Sequence, residues 1–355
     1  MIINRYVTRE ISRPFLIIIS ICAVIFASFT TAVILNEVVS GLIPATTVAK
    51  LVFIRLVIAL EILIPVALYF GIVFGLGRMH ADSEIVALSA GGLGEVRLAG
   101  IILRFSLVVA LVVACISLFA RPWAYQQQYQ LRAQVAAEFD IGYLEARQLL
   151  VNPGSNYAIF AATVDRPARS AGEVIVQIRK SDAMQIITGK RLFQPPREEG
   201  APPVFTFEDG YVYKLDMQGS NDVIGKFGTL NLTLAPPEPV VIGYKSKAAG
   251  LLTLFETKHR KDLAELQWRL STPVATVLIA LLAIPLSRSG PRRGRSAKAL
   301  AAVAAYAVFF NLMTFAKNLV QEGLIGAVPG LWWPLLMLGV LLAVLFHRPS
   351  GFSRT

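Results

Sequence analysis

Six long apolar runs constrain this chain more than any other feature. They cover roughly Pro14–Leu35, Leu51–Leu76, Leu98–Ala120, Leu266–Leu286, Ala299–Lys317 and Leu331–Phe346. An apolar run of about 20 residues reaches across the hydrocarbon core of a bilayer as an α-helix. In lipid the backbone must satisfy its own hydrogen bonds, which leaves helices as the spanning form for such runs. Composition agrees: 55% of residues are hydrophobic and 16% charged, against about 25% charged in soluble domains. The net charge of +11 does not point to nucleic acid, because the basic residues sit beside the apolar runs, where they set topology.

Between the third and fourth runs, from Arg121 to Lys261, the composition becomes that of a soluble domain. It opens with a polar helical stretch, Trp123–Ala146. Short β-rich runs follow at Tyr157–Thr163, Val174–Arg179, Met184–Thr188, Val204–Phe207, Tyr211–Leu215 and Gly228–Leu234. Turn residues separate them, among them Asn152–Pro153–Gly154, Pro195–Pro196 and Glu208–Asp209–Gly210. Six to eight short strands without intervening helices predict a β-sandwich or jelly-roll. The domain plan is therefore an N-terminal membrane half, 1–122, an inserted β domain, 123–262, and a C-terminal membrane half, 263–355.

Lys and Arg in the short connections fix the orientation. The N-terminus, the loop at 78–97, the loop at 287–298 and the tail are rich in them, whereas the opposite connections carry Lys50 and little else. Six spans with both termini cytoplasmic satisfy this bias, and the β domain is then extracytoplasmic. Arg5, Arg9 and Arg13 recur every four residues and share one helix face. They predict either an amphipathic helix on the inner membrane surface or a plain positive flank to the first span. Gly71-xxx-Gly75 and Gly77 in the second run suit close helix packing.

The loop Arg78–Arg97 carries an acid pair, Asp82 and Glu84, ahead of a short helix over about 82–92. Asp82 or Ser83 can cap its start, and Gly91–Gly92 end it. Such a helix is either a solvated turn or a docking element whose carboxylate pairs with a basic groove on a cytosolic partner. The chain holds no engine of its own. The nearest approach to a P-loop, Gly219 to Phe227, has the wrong spacing and lies in the exported domain. Cys22 and Cys115 lie in apolar runs, and His80, His259 and His347 are scattered, so no disulfide or metal site is expected.

Charges within or beside spans are costly and tend to pair or to line a cavity. Arg104 snorkels to the cytoplasmic interface. Glu61 lies deep, six residues from Arg55, and so calls for a partner on another span or chain. Arg55, Lys317 and Arg269, near the outer ends of their spans, either snorkel or meet phosphates of an outer-leaflet lipid.

Together these residues resemble the LptF/LptG family of lipopolysaccharide-export permeases, and within it the LptF-like members. The resemblance rests on Met1-Ile2-Ile3-x-Arg5-Tyr6-x-x-Arg9-Glu10, Ser83–Glu84, Trp268–Arg269, Pro285–Leu286–Ser287 and Pro291-Arg292-x-Gly294-Arg295, in that order around a β insertion. It implies a non-catalytic subunit of an ATP-binding-cassette transporter. The partners implied are an LptG-like permease subunit, an LptB-like ATPase dimer and an LptC-like bridge protein. The cargo is lipopolysaccharide, taken from the inner membrane and passed through a periplasmic jelly-roll. This chain holds no cofactor, with ATP and magnesium at the ATPase. The family's coupling carboxylate falls on Glu84, beside Ser83 and Asp82. Spans 1, 2 and 5 border the family's lipid cavity, which favours Arg55 and Lys317. The outer half of span 1 here reads Thr30-Thr31-Ala32-Val33, without the basic residues common in the family, so headgroup contacts either differ from the family's or come from Lys50, Arg55 and Lys317. Two other readings are a membrane-anchored periplasmic lipid-binding or scaffold protein, and a proton-coupled transporter, for which Glu61 alone is thin support.

Overall fold

The computed structural model describes residues 2–39, 43, 45–137, 146–147, 149–151, 157–165, 167–179, 183–195, 204–216, 222–233, 245–257, 259–287 and 295–347. They form two compact units. The first comprises Met1–Phe29, Phe53–Gln126 and Tyr244–Thr355. The second comprises Thr30–Val52 and Gln127–Gly243.

The helices are α1 (Ile2–Val39), α2 (Val48–Ala81, after a 3₁₀ turn at Ala45–Thr47), α3 (Glu84–Ala90), α4 (Glu95–Cys115), α5 (Arg121–Ala137), α6 (Leu251–Glu256), α7 (Arg260–Ser287), α8 (Arg295–Glu322) and α9 (Trp332–His347). Among the described residues, five helical stretches are long and apolar enough to cross a membrane: Ile2–Val39, Ala45–Ala81, Glu95–Arg132, Arg260–Ser287 and Leu300–Glu322. The apolar α9 is shorter, at 16 residues. Two boundaries differ from expectation. The basic N-terminal segment is no separate surface helix, because α1 runs unbroken through Pro14. Arg5, Arg9 and Arg13 do lie exposed on one face, while Val7 and Ile11 are fully buried on another. The third span likewise continues into the polar stretch after it: α4 passes through a π-helical segment, Ile116–Ala120, directly into α5.

The core of the first unit draws on α1, α2, α4, α7, α8 and α9. Glycine sets the approach of α1 to α2. A Cβ at Gly71 would lie 2.9 Å from the backbone of Phe15, and one at Gly75 would lie 2.9 Å from the carbonyl oxygen of Glu10. Gly77 faces open space and takes no part. Tyr69 of α2 is buried and donates to the Ala302 carbonyl of α8 at 2.9 Å, which satisfies a hydroxyl that would otherwise be costly in this interior.

In the second unit, β1 (Leu149–Val151), β2 (Tyr157–Asp165), β3 (Ser170–Arg179), β4 (Ala183–Phe193), β5 (Val204–Asp216) and β6 (Val223–Thr233) form one antiparallel sheet in sequence order. The expected turn at Glu208–Asp209–Gly210 is not a turn, since β5 runs straight through it. The reason is a crease across the sheet. The ladder lapses at one residue in each of β2 to β6, Ala162, Glu173, Lys190, Asp209 and Gly228, with register intact on both sides. Glu173 and Asp209 take φ of 49° and 48° there. Residues on one face of a regular strand are an even number apart. Here the apolar cluster joins residues an odd number apart across the crease: Ala161 and Val164, Val174 and Ala171, Ile187 and Leu192, Phe207 and Val212, Phe227 and Leu230. Gly210 stands beside the crease because a Cβ there would overlap the Thr188 carbonyl oxygen. Lys190 and Asp209 pair across it on the exposed side at 3.5 Å.

Candidate functional site

Two arrangements stand out in the first unit. One is the helix α3, held between α2 and α4. Its C-terminus closes with Gly92 at φ 87°. The Gly92 amide donates to the Ser89 carbonyl and the Leu93 amide to the Leu88 carbonyl, the paired bonds of a Schellman motif. Leu93 is buried, and Ile85 and Leu88 pack on the core. Val86, Ala87, Ser89 and Ala90 face outward.

The start of α3 is built differently from the expected cap. Ser83 occupies the N-cap position in the left-handed region, at φ 60°, and makes no side-chain capping bond. Asp82 is turned back to Arg78 at 3.6 Å, and Arg78 also pairs with Glu10 of α1 at 3.2 Å. Glu84 accepts a hydrogen bond from the Tyr6 hydroxyl at 2.7 Å. Two polar links thus tie the first turns of α1 to the α2–α3 corner. They leave Glu84 at the edge of an exposed helix face with its direction set. Sequence reasoning placed Tyr6 in a pattern but gave it no role; its position opposite an acid-led helix shows only once α1 is packed on α2.

The other arrangement is a buried charge network. Glu61 of α2 pairs with Arg121 at 2.8 Å and accepts from Ser117 of the π segment at 2.6 Å. Arg121 also meets Glu265 of α7. Glu265 takes Arg269 at 3.2 Å and Lys317 of α8 at 3.0 Å. Lys317 further lies 4.5 Å from the centre of the Trp268 ring, a cation–π contact. Arg269 is fully buried and spends its remaining donors on the carbonyls of Ala249, Lys247 and Ser246 at 3.0, 3.1 and 3.2 Å. Two carboxylates face three cations, so the network carries one net positive charge. Such a cluster holds only while every member is satisfied, and here it locks α2, the π segment, α7 and α8 together. A π segment beside polar groups is a frequent mark of a functional position.

Glu61 therefore finds its expected partner on another span. Of the four proposed lipid contacts, the structure gathers Lys317 and Arg269 into this network. Arg55 is half-buried on α2, and Lys50 is exposed in the other unit. Arg121, Glu265 and Ser117 were not singled out from sequence. The available signal was Glu61 itself: a deep carboxylate requires a cation at similar depth, and Arg121 ends the neighbouring span. Among the described residues no group of His, Cys, Asp and Glu could hold a metal ion.

Apolar helices of spanning length around an inserted β sheet, with an acid-led helix on a short connection, define a multi-pass membrane protein. The chain belongs to the lipopolysaccharide export system permease LptF/LptG family, whose model matches residues 5–348. It is 26% identical to the lipopolysaccharide export system permease protein LptF of Escherichia coli strain K12, over 98% of this chain and 94% of that protein. The LptF proteins of Escherichia coli O157:H7 and Shigella flexneri match to the same extent.

Proposed function

We propose that this chain is the non-catalytic membrane subunit of an ATP-driven transporter that extracts lipopolysaccharide from the inner membrane and hands it to a periplasmic bridge. Six spans with both termini cytoplasmic carry it, α9 being the sixth. The β unit is periplasmic and jelly-roll-like, its creased sheet curving around a lipid path. The membrane halves are 1–122 and 263–355, around the β domain 123–262. ATP and magnesium act at an LptB-like ATPase dimer, and this chain supplies no cofactor. An LptG-like second permease subunit and an LptC-like bridge protein complete the assembly.

The observation that carries this reading is the geometry of α3: a short exposed helix, closed by a Schellman motif, whose leading carboxylate is oriented by Tyr6. In an ATPase groove Glu84 makes the ion pair and Ser83 lines its approach. Asp82 holds Arg78, and so holds the corner. Arg55 and Lys317 meet phosphates of the lipid, and Lys50, in the other unit, makes a contact of its own. Arg269, whose donors are occupied inside the protein, supports the same region from behind.

Gentle purification of the chain from membranes tests the assembly. An ATPase and a second multi-span protein in stoichiometric amounts support it. Recovery of the chain with neither favours an anchored lipid-binding protein.

A further inference from the structure

Immediately ahead of α7 lies α6, Leu251–Glu256, with two unlike apolar faces. Leu254 is buried against the protein and Leu251 partly so, whereas Leu252 is 79% exposed and Phe255 61%. The exposed pair is three residues apart and shares a face. Basic side chains flank it on both sides: Lys245 and Lys247 before, His259, Arg260 and Lys261 after, all at exposed positions. Glu256 is the one exposed acid among the described residues of this stretch.

The position of α6 along α7 is set by Arg269, a member of the network. Arg269 lies in the first turn of the apolar run of α7 and clasps the carbonyls of Ser246, Lys247 and Ala249. The turn that launches α6 is thereby pinned near the level at which α7 becomes apolar. From there α6 leads back toward Arg260, the first residue of α7, about 13 Å along that helix axis. A short amphipathic helix with exposed Leu and Phe, basic flanks and this depth matches an element lying in the headgroup layer of a bilayer.

We propose that α6 is an interfacial element, inserting Leu252 and Phe255 into the leaflet at which α7 enters the membrane and meeting anionic headgroups through Lys245 and Lys261. Arg269 is its positioning residue. The inference rests on α7 crossing the bilayer, not on the coupling or lipid-export reading.

Spin labels at Leu252→Cys, Phe255→Cys and, as an outward control, Thr253→Cys test it. The full chain, with Cys22 and Cys115 replaced by serine, is reconstituted with its co-purifying subunits. The vesicles are phosphatidylcholine, with or without phosphatidylglycerol. Labels at 252 and 255 are expected to collide preferentially with oxygen and the label at 253 with a water-soluble nickel chelate, so the depth parameter changes sign between them. Adding phosphatidylglycerol is expected to deepen the 255 label, and Lys245→Gln with Lys261→Gln to abolish that shift. Nickel accessibility at both 252 and 255 would overturn the proposal by showing α6 in water. Immobile labels shielded from both relaxants would overturn it by showing a protein partner on this face.

Discussion

The Tyr6 hydroxyl donates to the Glu84 carboxylate at 2.7 Å, joining α1 to the first residue of α3 across 78 positions of sequence. An exposed carboxylate on a seven-residue helix would ordinarily sample many directions. Here one oxygen is engaged, and the Arg78–Glu10 pair holds the same corner. The arrangement presents Glu84 to a partner with less conformational entropy left to lose on binding.

Tyr6→Phe removes only the hydroxyl. The variant is expected to insert and assemble normally, and to lower lipid-stimulated ATP hydrolysis by a smaller factor than loss of the Glu84 carboxylate does. Equal losses in the two variants would mean that Tyr6 contacts the partner itself. An ATPase assay on the reconstituted complex reads the difference.

Glycine at 71 and 75 lets the α1 and α2 backbones touch. Gly75→Leu is expected to destabilise the detergent-solubilised protein by about 1–3 kcal/mol, the usual cost of overpacking a close contact. Gly77→Leu, facing open space, is expected to be neutral. Thermal unfolding of the two variants side by side checks this.

Breaking the buried network from one side leaves an uncompensated charge. Glu265→Gln removes the carboxylate shared by Arg121, Arg269 and Lys317, and is expected to cost about 3–5 kcal/mol. Arg121→Met with Glu61→Gln is expected to cost less than the sum of the single changes, because the second removes the charge that the first strands. A double-mutant cycle on thermal stability measures that coupling.

Gly210→Ala tests the crease. Its Cβ would overlap the Thr188 carbonyl oxygen, so the β unit is expected to lose protease resistance. Gly225→Ala on β6, with open space around it, is expected to leave it intact.

Much of this architecture was legible beforehand, because long apolar runs and turn-punctuated β-rich runs report burial directly. The glycine pair on α2 could be read for the same reason, since its spacing has few other uses in a span. The crease could not. At Asp209 the alternation slips and the residues are those of a turn, so sequence reasoning broke β5 in two. Register across four strand pairs is needed to see that the slip is shared. The cap of α3 was half legible: Ser83 does take the N-cap position, but without a side-chain capping bond, and Arg78, four residues back, competes for Asp82, a competition that local pattern does not weigh. The charge network was half visible. Glu61 announced an absent partner, while nothing in the local sequence tied Arg121 or Glu265 to it until four helical segments were brought together.

The most direct test of ATPase coupling through α3 is lipid-dependent ATP hydrolysis and lipid release by the reconstituted complex carrying Glu84→Lys. Reversing the charge is expected to leave insertion and β-unit folding unchanged, to weaken retention of the ATPase, and to abolish lipid release. A Glu84→Lys complex that kept its ATPase and released lipid at the unaltered rate would contradict the coupling role of this helix.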